Sequence, residues 1–262
     1  MELGFKNRVV AITGAGRGIG RATAKMLAAQ GASVGIIDNL GESAKSSARE
    51  LTEQFGIKSV GVAADIASYE DVVRARDELA AALGPADVLI NCAAIVEEKL
   101  FLDSTPADWQ RTISVGLFGA MNCLHAFLPS MTQNGYGRII CLATDAARIG
   151  QSRISVYAAA KAGVVALCKS VAQEVGASGV TINVVSPGTT NTELRQITQA
   201  KIASELGPER YERRTKNVLK RYPLGRIGEP DDIAAAIVFL ASDRSAWTTG
   251  QVFSVNGGFT MP

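Results

Sequence analysis

The stretch LATDAARIGQSRISVYAAAK, Leu142 to Lys161, ends in a tyrosine and a lysine four residues apart. On a helix that spacing projects Tyr157 and Lys161 from one face. A phenol with an ordinary pKa of about 10 is protonated at neutral pH, and a neighbouring ammonium favours its phenolate. The pair is therefore suited to taking a proton from an alcohol or returning one to a ketone. Ala158, Ala159, Ala160, Ala162 and Gly163 leave room for the sheet, a ligand or a neighbouring helix to come close. The single histidine, His125, lies on the apolar side of AMNCLHAFL and is expected to pack within its helix, so no Ser-His-Asp triad is on offer.

A proton-transfer pair of this kind needs a hydride carrier, and the first turn of the chain offers a seat for one. It reads Thr13-Gly14-Ala15-Gly16-Arg17-Gly18-Ile19-Gly20, between a strand and a helix. Gly14 lets the chain turn off the strand, while Gly18 and Gly20 flank Ile19 without side chains, so backbone N–H groups and the helix N-terminus can approach a pyrophosphate. Asp38 ends the second strand, where a carboxylate accepts both adenosine ribose hydroxyls and repels a 2′-phosphate, which favours NAD over NADP. Arg17 pulls the other way, but Asn39 adds no second positive charge. Asp65 and Ile66, after the third strand, are candidates for the adenine; Asp65 reads equally as the N-cap of the YEDVV helix.

These residues are positioned by an alternation of short β-rich runs and helical patterns: RVVAIT then IGRATAKMLAAQ, SVGIID then ESAKSSARELTEQF, and onward to QVFSVN. Apolar strands separated by helices predict an α/β, doubly wound Rossmann-type fold with a mostly parallel sheet buried on both faces. With 262 residues, 47% hydrophobic content and no linker or repeat, the chain reads as one domain, 1–262. A net charge of +2 from 27 basic and 25 acidic residues gives no reason to expect nucleic acid or a membrane as partner. Cys92, Cys123, Cys141 and Cys168 lack metal-ligand spacing and read as reduced, buried thiols of a cytoplasmic protein. The first strand begins so early that a signal peptide is not expected, nor is an apolar run long enough to cross a bilayer.

The glycines of the first turn, spaced Gly-x-x-x-Gly-x-Gly, together with Tyr157-x-x-x-Lys161, resemble the short-chain dehydrogenase/reductase family. Asn91-Cys92-Ala93-Ala94, Pro187-Gly188 followed by Thr192, and the tail PLGRIGEPDDIAAAIVFLASDRSAWTTGQVFSVNGG extend the likeness over nearly the whole chain. The resemblance implies seven strands in the order 3-2-1-4-5-6-7. It implies that Asn91 steadies the central sheet, that Ala93 borders the cofactor, and that Pro187, Gly188, Thr189 and Thr192 line the nicotinamide carboxamide. Lys161 would hold both the ribose and the phenolate, and Thr144, thirteen residues before Tyr157, stands where the family has its substrate-binding serine. Thr144 keeps the hydroxyl but adds a methyl; its neighbour Asp145 is expected to be solvated or held by backbone donors. Helices are expected to pair between subunits in a homotetramer or dimer.

Three residues depart from the family pattern: Cys92, Ala94, and Gly116 in place of a catalytic asparagine. Replacing Gly116 with Asn is expected to leave activity similar or raise it. The segment from about 190 to 222 covers the substrate in this family. Between Glu193 and Tyr222 it carries Arg195, Lys201, Arg210, Arg213, Arg214, Lys216, Lys220 and Arg221 against Glu193, Glu205, Glu209 and Glu212. Such a lid suits a carboxylate or coenzyme A phosphates, or else is a solvated helical face. The VSPGTTNTEL run and the NGGFTMP ending resemble dehydrogenases of alicyclic hydroxyacyl-CoA compounds. The expected activity is NAD-dependent interconversion of a secondary alcohol and a ketone. A non-catalytic NAD-binding sensor or scaffold is the alternative that Ala94, Gly116 and Thr144 suggest and the intact Tyr157–Lys161 pair opposes.

Overall fold

The computed structural model describes residues 2–261. Seven strands, β1 (Val9–Thr13), β2 (Ser33–Asp38), β3 (Ser59–Ala63), β4 (Val88–Asn91), β5 (Gly137–Leu142), β6 (Val180–Pro187) and β7 (Val252–Val255), form one sheet in the order β3-β2-β1-β4-β5-β6-β7. Every pairing between neighbours is parallel. A parallel sheet needs helical crossovers that cover both faces, and that is why β1, β4 and β5 are mostly apolar and buried along their whole length. Alternate residues divide between two cores: Val9 and Ala11 turn to one, Val10 and Ile12 to the other.

Helices α1 (Gly18–Ala29) and α2 (Gly41–Phe55) cover one face, with Leu27 and Leu51 fully buried. Helix α3 (Tyr69–Leu83) covers the opposite face through Leu79. Gly56 ends α2 with φ of 67°, a left-handed backbone that a side chain would strain. Because the sheet grows outward from β1 in one direction and from β4 in the other, their connections diverge and leave a crevice at the C-terminal ends of the central strands.

The long helical stretch after β4 is interrupted. Helix α4 (Pro106–Ile113) passes through a π turn, Ser114–Phe118, into α5 (Gly119–Gln133). Gly116 lies buried in that turn, and a Cβ there would stand 3.1 Å from the Cβ of Ala160. A short α6 (Ala146–Ile149) leads to α7 (Ser155–Val175), whose Gly163 faces Leu117 at equally close range. The stretches 106–133 and 155–178 are long and apolar enough, by length and composition, to cross a bilayer, contrary to the expectation from the sequence; both pack against the sheet.

The polar segment after β6 is two helices, α8 (Glu193–Leu206) and α9 (Pro208–Leu219), broken where Gly207 adopts φ of 73° and Pro208 starts anew. Neither fully buries a residue. The last helix, α10 (Pro230–Ala241), begins with a capping box between Glu229 and Asp232 and packs Ile237 beside Leu27 in the α1 core. Arg226 donates to Asp232 and holds its carboxyl down to about 2.

Candidate active site

The crevice is a solvent-open cleft of about 1040 Å³. Gly14, Arg17, Gly18, Ile19, Gly20, Asp38, Asp65, Ile66, Ala93 and Thr192, all anticipated as cofactor contacts, line it together. Gly14 turns off β1 with φ of 64°, and a Cβ there would stand 2.7 Å from the Cα of Ala93, so the β1 and β4 turns touch only because this residue is glycine. Asp38 accepts the Gly16 and Leu40 N–H groups at 3.0 Å each. A carboxylate has about four acceptor sites, so these two bonds orient it and leave others for a ribose diol. Arg17 is exposed at the rim. Helix α1 has no side-chain cap, and the Gly18 N–H donates instead to the Glu193 carboxylate at 3.0 Å, reaching across from the start of α8. An anion thus already occupies the helix N-terminus, as the macrodipole favours.

Asp65 is not the N-cap of α3. That place belongs to Ser68, which accepts from Asp71, because the chain needs three more residues to leave β3 before the helix can start. Asp65 bonds the N–H of Ala67 at 2.9 Å and faces the cleft.

Lys161 is 3% exposed, and its Nζ lies 6.0 Å from the centre of the Tyr157 ring. It borders a small cavity shared with Asn91, Ala93, Gly116 and Cys141. Tyr157 itself borders a neighbouring hollow with Ser104, Asp108 and Arg153. Burial pushes the Tyr157 phenol up to about 12 and pulls the Lys161 ammonium below its ordinary range. The expected depression of the phenol is therefore absent from the cofactor-free protein: both members of the pair are desolvated, and the neutral phenol wins.

Three thiols surround the lysine. Cys141, Cys92 and Cys168 each act on Lys161 in favour of its charged form. The Cys168 thiol donates to Cys141, which lowers Cys141 and raises Cys168 well above the ordinary thiol range. Burial pushes Cys92 up to about 12. Asn91 ties this wall to the sheet: its carbonyl accepts the Thr13 hydroxyl at 3.4 Å and its amide donates to Cys141 at 3.5 Å.

Thr144 is half-buried two residues beyond β5. Its hydroxyl oxygen accepts the Ala146 N–H at 3.3 Å, and among the described residues nothing accepts its proton, which leaves that proton for a substrate oxygen. Asp145, expected to be solvated or held by backbone, is 2% exposed and held by side chains: the hydroxyls of Ser186 and Ser254 at 2.7 and 2.9 Å and the amide of Asn256 at 2.5 Å. This one carboxylate ties the Thr144 turn to β6, β7 and the segment after it. Its partners lie more than forty residues downstream, so no local pattern announces it.

Pro187 ends β6, and Gly188 and Thr189 follow into a separate hollow with Leu224, Arg226 and Asn256 rather than into the cofactor cleft. The Thr189 N–H donates to the Tyr222 hydroxyl at 3.1 Å. Thr192 caps α8 by accepting from the Arg195 N–H and stands opposite Gly18. His125 is exposed rather than packed, and its Nδ1 is 2.8 Å from the Tyr69 hydroxyl at the outer surface of α5.

A parallel sheet in this order, a glycine turn under an acidic ribose position and a Tyr–Lys pair beside the cleft define a nicotinamide-dependent oxidoreductase of the Rossmann type. Residues 14–260 match the family profile described as Enoyl-(Acyl carrier protein) reductase. The chain is 38% identical to a short-chain type dehydrogenase/reductase of Sinorhizobium fredii, over 98% of this chain and 99% of that one. It is 36% identical to the cis-4-hydroxycyclohexanecarboxylate dehydrogenase of Sinomonas cyclohexanicum, over 98% of each. The structure of L-sorbose reductase from Gluconobacter frateurii, complexed with NADPH and L-sorbose, superposes with a TM-score of 0.94 at 27% identity over the full length of both chains. The chain belongs to the short-chain dehydrogenase/reductase family.

Proposed function

We propose that the protein is an NAD-dependent alcohol dehydrogenase/ketone reductase acting on an anionic or CoA-linked alicyclic hydroxy compound. The observation that carries the cofactor choice is Asp38, whose carboxylate is fixed by two backbone N–H groups at the far end of the cleft from Lys161. A 2′-phosphate there would meet a negative charge, and the one nearby cation, Arg17, is exposed. L-sorbose reductase was solved with NADPH, so the preference for NAD rests on this chain's own residues. The substrate class follows from the 4-hydroxycyclohexanecarboxylate relative and the basic segment over the site.

A nicotinamide dinucleotide held in the cleft would supply the hydride acceptor or donor for the alcohol carbon and, when oxidised, a positive charge. Thr144 donates its free hydroxyl proton to the substrate oxygen, Tyr157 takes or returns the alcohol proton, and Lys161 holds the phenolate and the ribose. Gly14, Gly18, Ile19, Gly20, Asp38, Asp65, Ile66, Ala93 and Thr192 form the cofactor seat in this reading, with Asn91 behind it, while Gly188 and Thr189, expected at the nicotinamide, line the neighbouring hollow. The whole chain acts as one domain, with residues 190–222 covering the substrate. The four free cysteines fit a reducing, cytoplasmic setting, and exposed Phe118, Met121 and Phe253 offer faces for a homotetramer.

The test is a fluorescence titration with NADH and NADPH, followed by absorbance assays of nicotinamide turnover across secondary alcohols. NADH is expected to bind at least about tenfold more tightly than NADPH, with the preference lost in Asp38→Ser. Equal or tighter NADPH binding by the native protein overturns the cofactor choice. Tight NADH binding without turnover of any alcohol or ketone overturns catalysis and leaves the sensor reading.

A further inference from the structure

The basic segment separates into two populations. Of its eight lysines and arginines, six face water, and Lys216 is paired with Glu212 along α9. Only Arg195 and Arg214 are half-buried. Arg214 is committed, donating to the Gln199 side chain at 2.8 Å. The Arg195 guanidinium has no hydrogen bond and no ion pair among the described residues.

Its surroundings place it at the mouth of the site. The charged and titratable groups around it are Tyr211 and Arg214 from α9, Tyr222 beyond that helix, and Glu98 from the loop after β4, which makes no ion pair with it among the described residues. Tyr222 holds the Thr189 N–H at the end of β6, and Thr192, which accepts the Arg195 N–H, lines the cofactor cleft. Burial, with the neighbouring Arg214, holds the guanidinium below its ordinary pKa range, yet arginine stays protonated in proteins. A half-desolvated, unpaired charge is costly, and that cost is relieved when a partner of opposite charge arrives.

We propose that Arg195 receives the carboxylate of the substrate, an alicyclic secondary alcohol bearing an acid group across the ring from its hydroxyl. The inference rests on the oxidoreductase reading above and names the group that reads its substrate. A guanidinium and a carboxylate match as two parallel N–H···O bonds, a fit that a single inward arginine supplies. The phosphates of a coenzyme A tail require several charges at once, and those that this segment offers lie outside the mouth.

The experiment is calorimetric titration of cyclohexanecarboxylate and of cyclohexanol into the protein saturated with NAD+, for native protein, Arg195→Ala, Arg195→Lys and, as a surface control, Lys220→Ala. The native protein is expected to bind the carboxylate at least about tenfold more tightly than the alcohol, Arg195→Ala to lose that margin, and Arg195→Lys to restore part of it. NAD+ affinity, measured in the same samples, reports intact folding and is expected to stay unchanged. Equal binding of the two ligands by native protein, or carboxylate affinity untouched in Arg195→Ala or lowered equally in Lys220→Ala, overturns the assignment. Turnover is read separately: Arg195-dependent carboxylate binding without oxidation of cis-4-hydroxycyclohexanecarboxylate overturns the catalytic reading while the carboxylate site stands.

Discussion

Tyr157 holds its proton up to about pH 12 in the cofactor-free protein, so becoming a base near neutrality requires on the order of 7 kcal/mol from its surroundings. Lys161, 6.0 Å from the ring centre, is already in place when burial holds the phenol near 12, so in the proposed mechanism the charge of a bound oxidised nicotinamide would have to supply the shift. Tyr157→Phe is expected to reduce turnover by about a thousandfold or more with NADH affinity kept. The same shift sets a stability window. The folded phenol binds its proton more tightly than an unfolded one, so its contribution is complete below about pH 10 and lost as pH rises toward 12. Denaturant titrations at about pH 9 and about pH 11 should show a smaller loss in Tyr157→Phe than in native protein; an equal loss would contradict the burial described for this residue. Tyr157 and Lys161 were legible in the sequence because their relation is local, one helical turn. Asp145 and the thiols around Lys161 were not, because their neighbours arrive from other strands and helices.

At the scale of elements, the π turn between α4 and α5 decides how close α7 comes to the cofactor wall. Gly116 and Gly163 let the two segments meet at Ala160 and Leu117, next to Lys161. For Gly116→Asn, expected from the sequence to leave activity similar or raise it, the structure adds a condition: a Cβ there stands 3.1 Å from the Cβ of Ala160, so one of the two must yield by a few tenths of an ångström. Gly116→Asn is expected to cost about 1–3 kcal/mol of stability and to lower turnover through the position of Lys161. Thermal unfolding and kcat test this, and an unchanged Tm would show that the packing yields freely. The π turn was not legible because the residue pattern across it is continuous with that of the flanking helices. Helices α8 and α9 were read only as a polar segment for a different reason: neither buries a side chain fully, and the half-buried face of α9, with Tyr211, Thr215, Val218 and Leu219, is set among charged residues. The strands, by contrast, are short runs dominated by buried apolar residues, and their identity followed directly.

For the whole molecule, the strand order puts every functional segment at one end of the sheet. The turns after β1, β2, β3 and β4 build the cofactor cleft, and those after β5 and β6 build the reacting side, an arrangement the alternation of strands and helices made legible from the start. The opposite margin of the fold is unfinished. β7 is an edge strand with Phe253 44% exposed, and Trp247 near it is fully exposed. Apolar groups on an open edge favour association with a second copy. Sedimentation equilibrium is expected to give a tetramer for the native chain and a smaller species for the combined Trp247→Glu and Phe253→Glu variant. A native monomer, or a variant of unchanged mass, would remove this edge from the assembly.

The bond from Glu193 to the Gly18 N–H has a consequence for the rate law. In the proposed function that backbone donor would serve two anions in turn, the Glu193 carboxylate it binds here and a phosphate oxygen of a bound dinucleotide. The dinucleotide must evict the first residue of α8, two positions before Arg195, so its arrival and the setting of the lid are one event. Turnover is then expected to run in compulsory order, with the nucleotide first to enter and last to leave, and product-inhibition patterns test this: the product dinucleotide is expected to compete with the substrate dinucleotide alone.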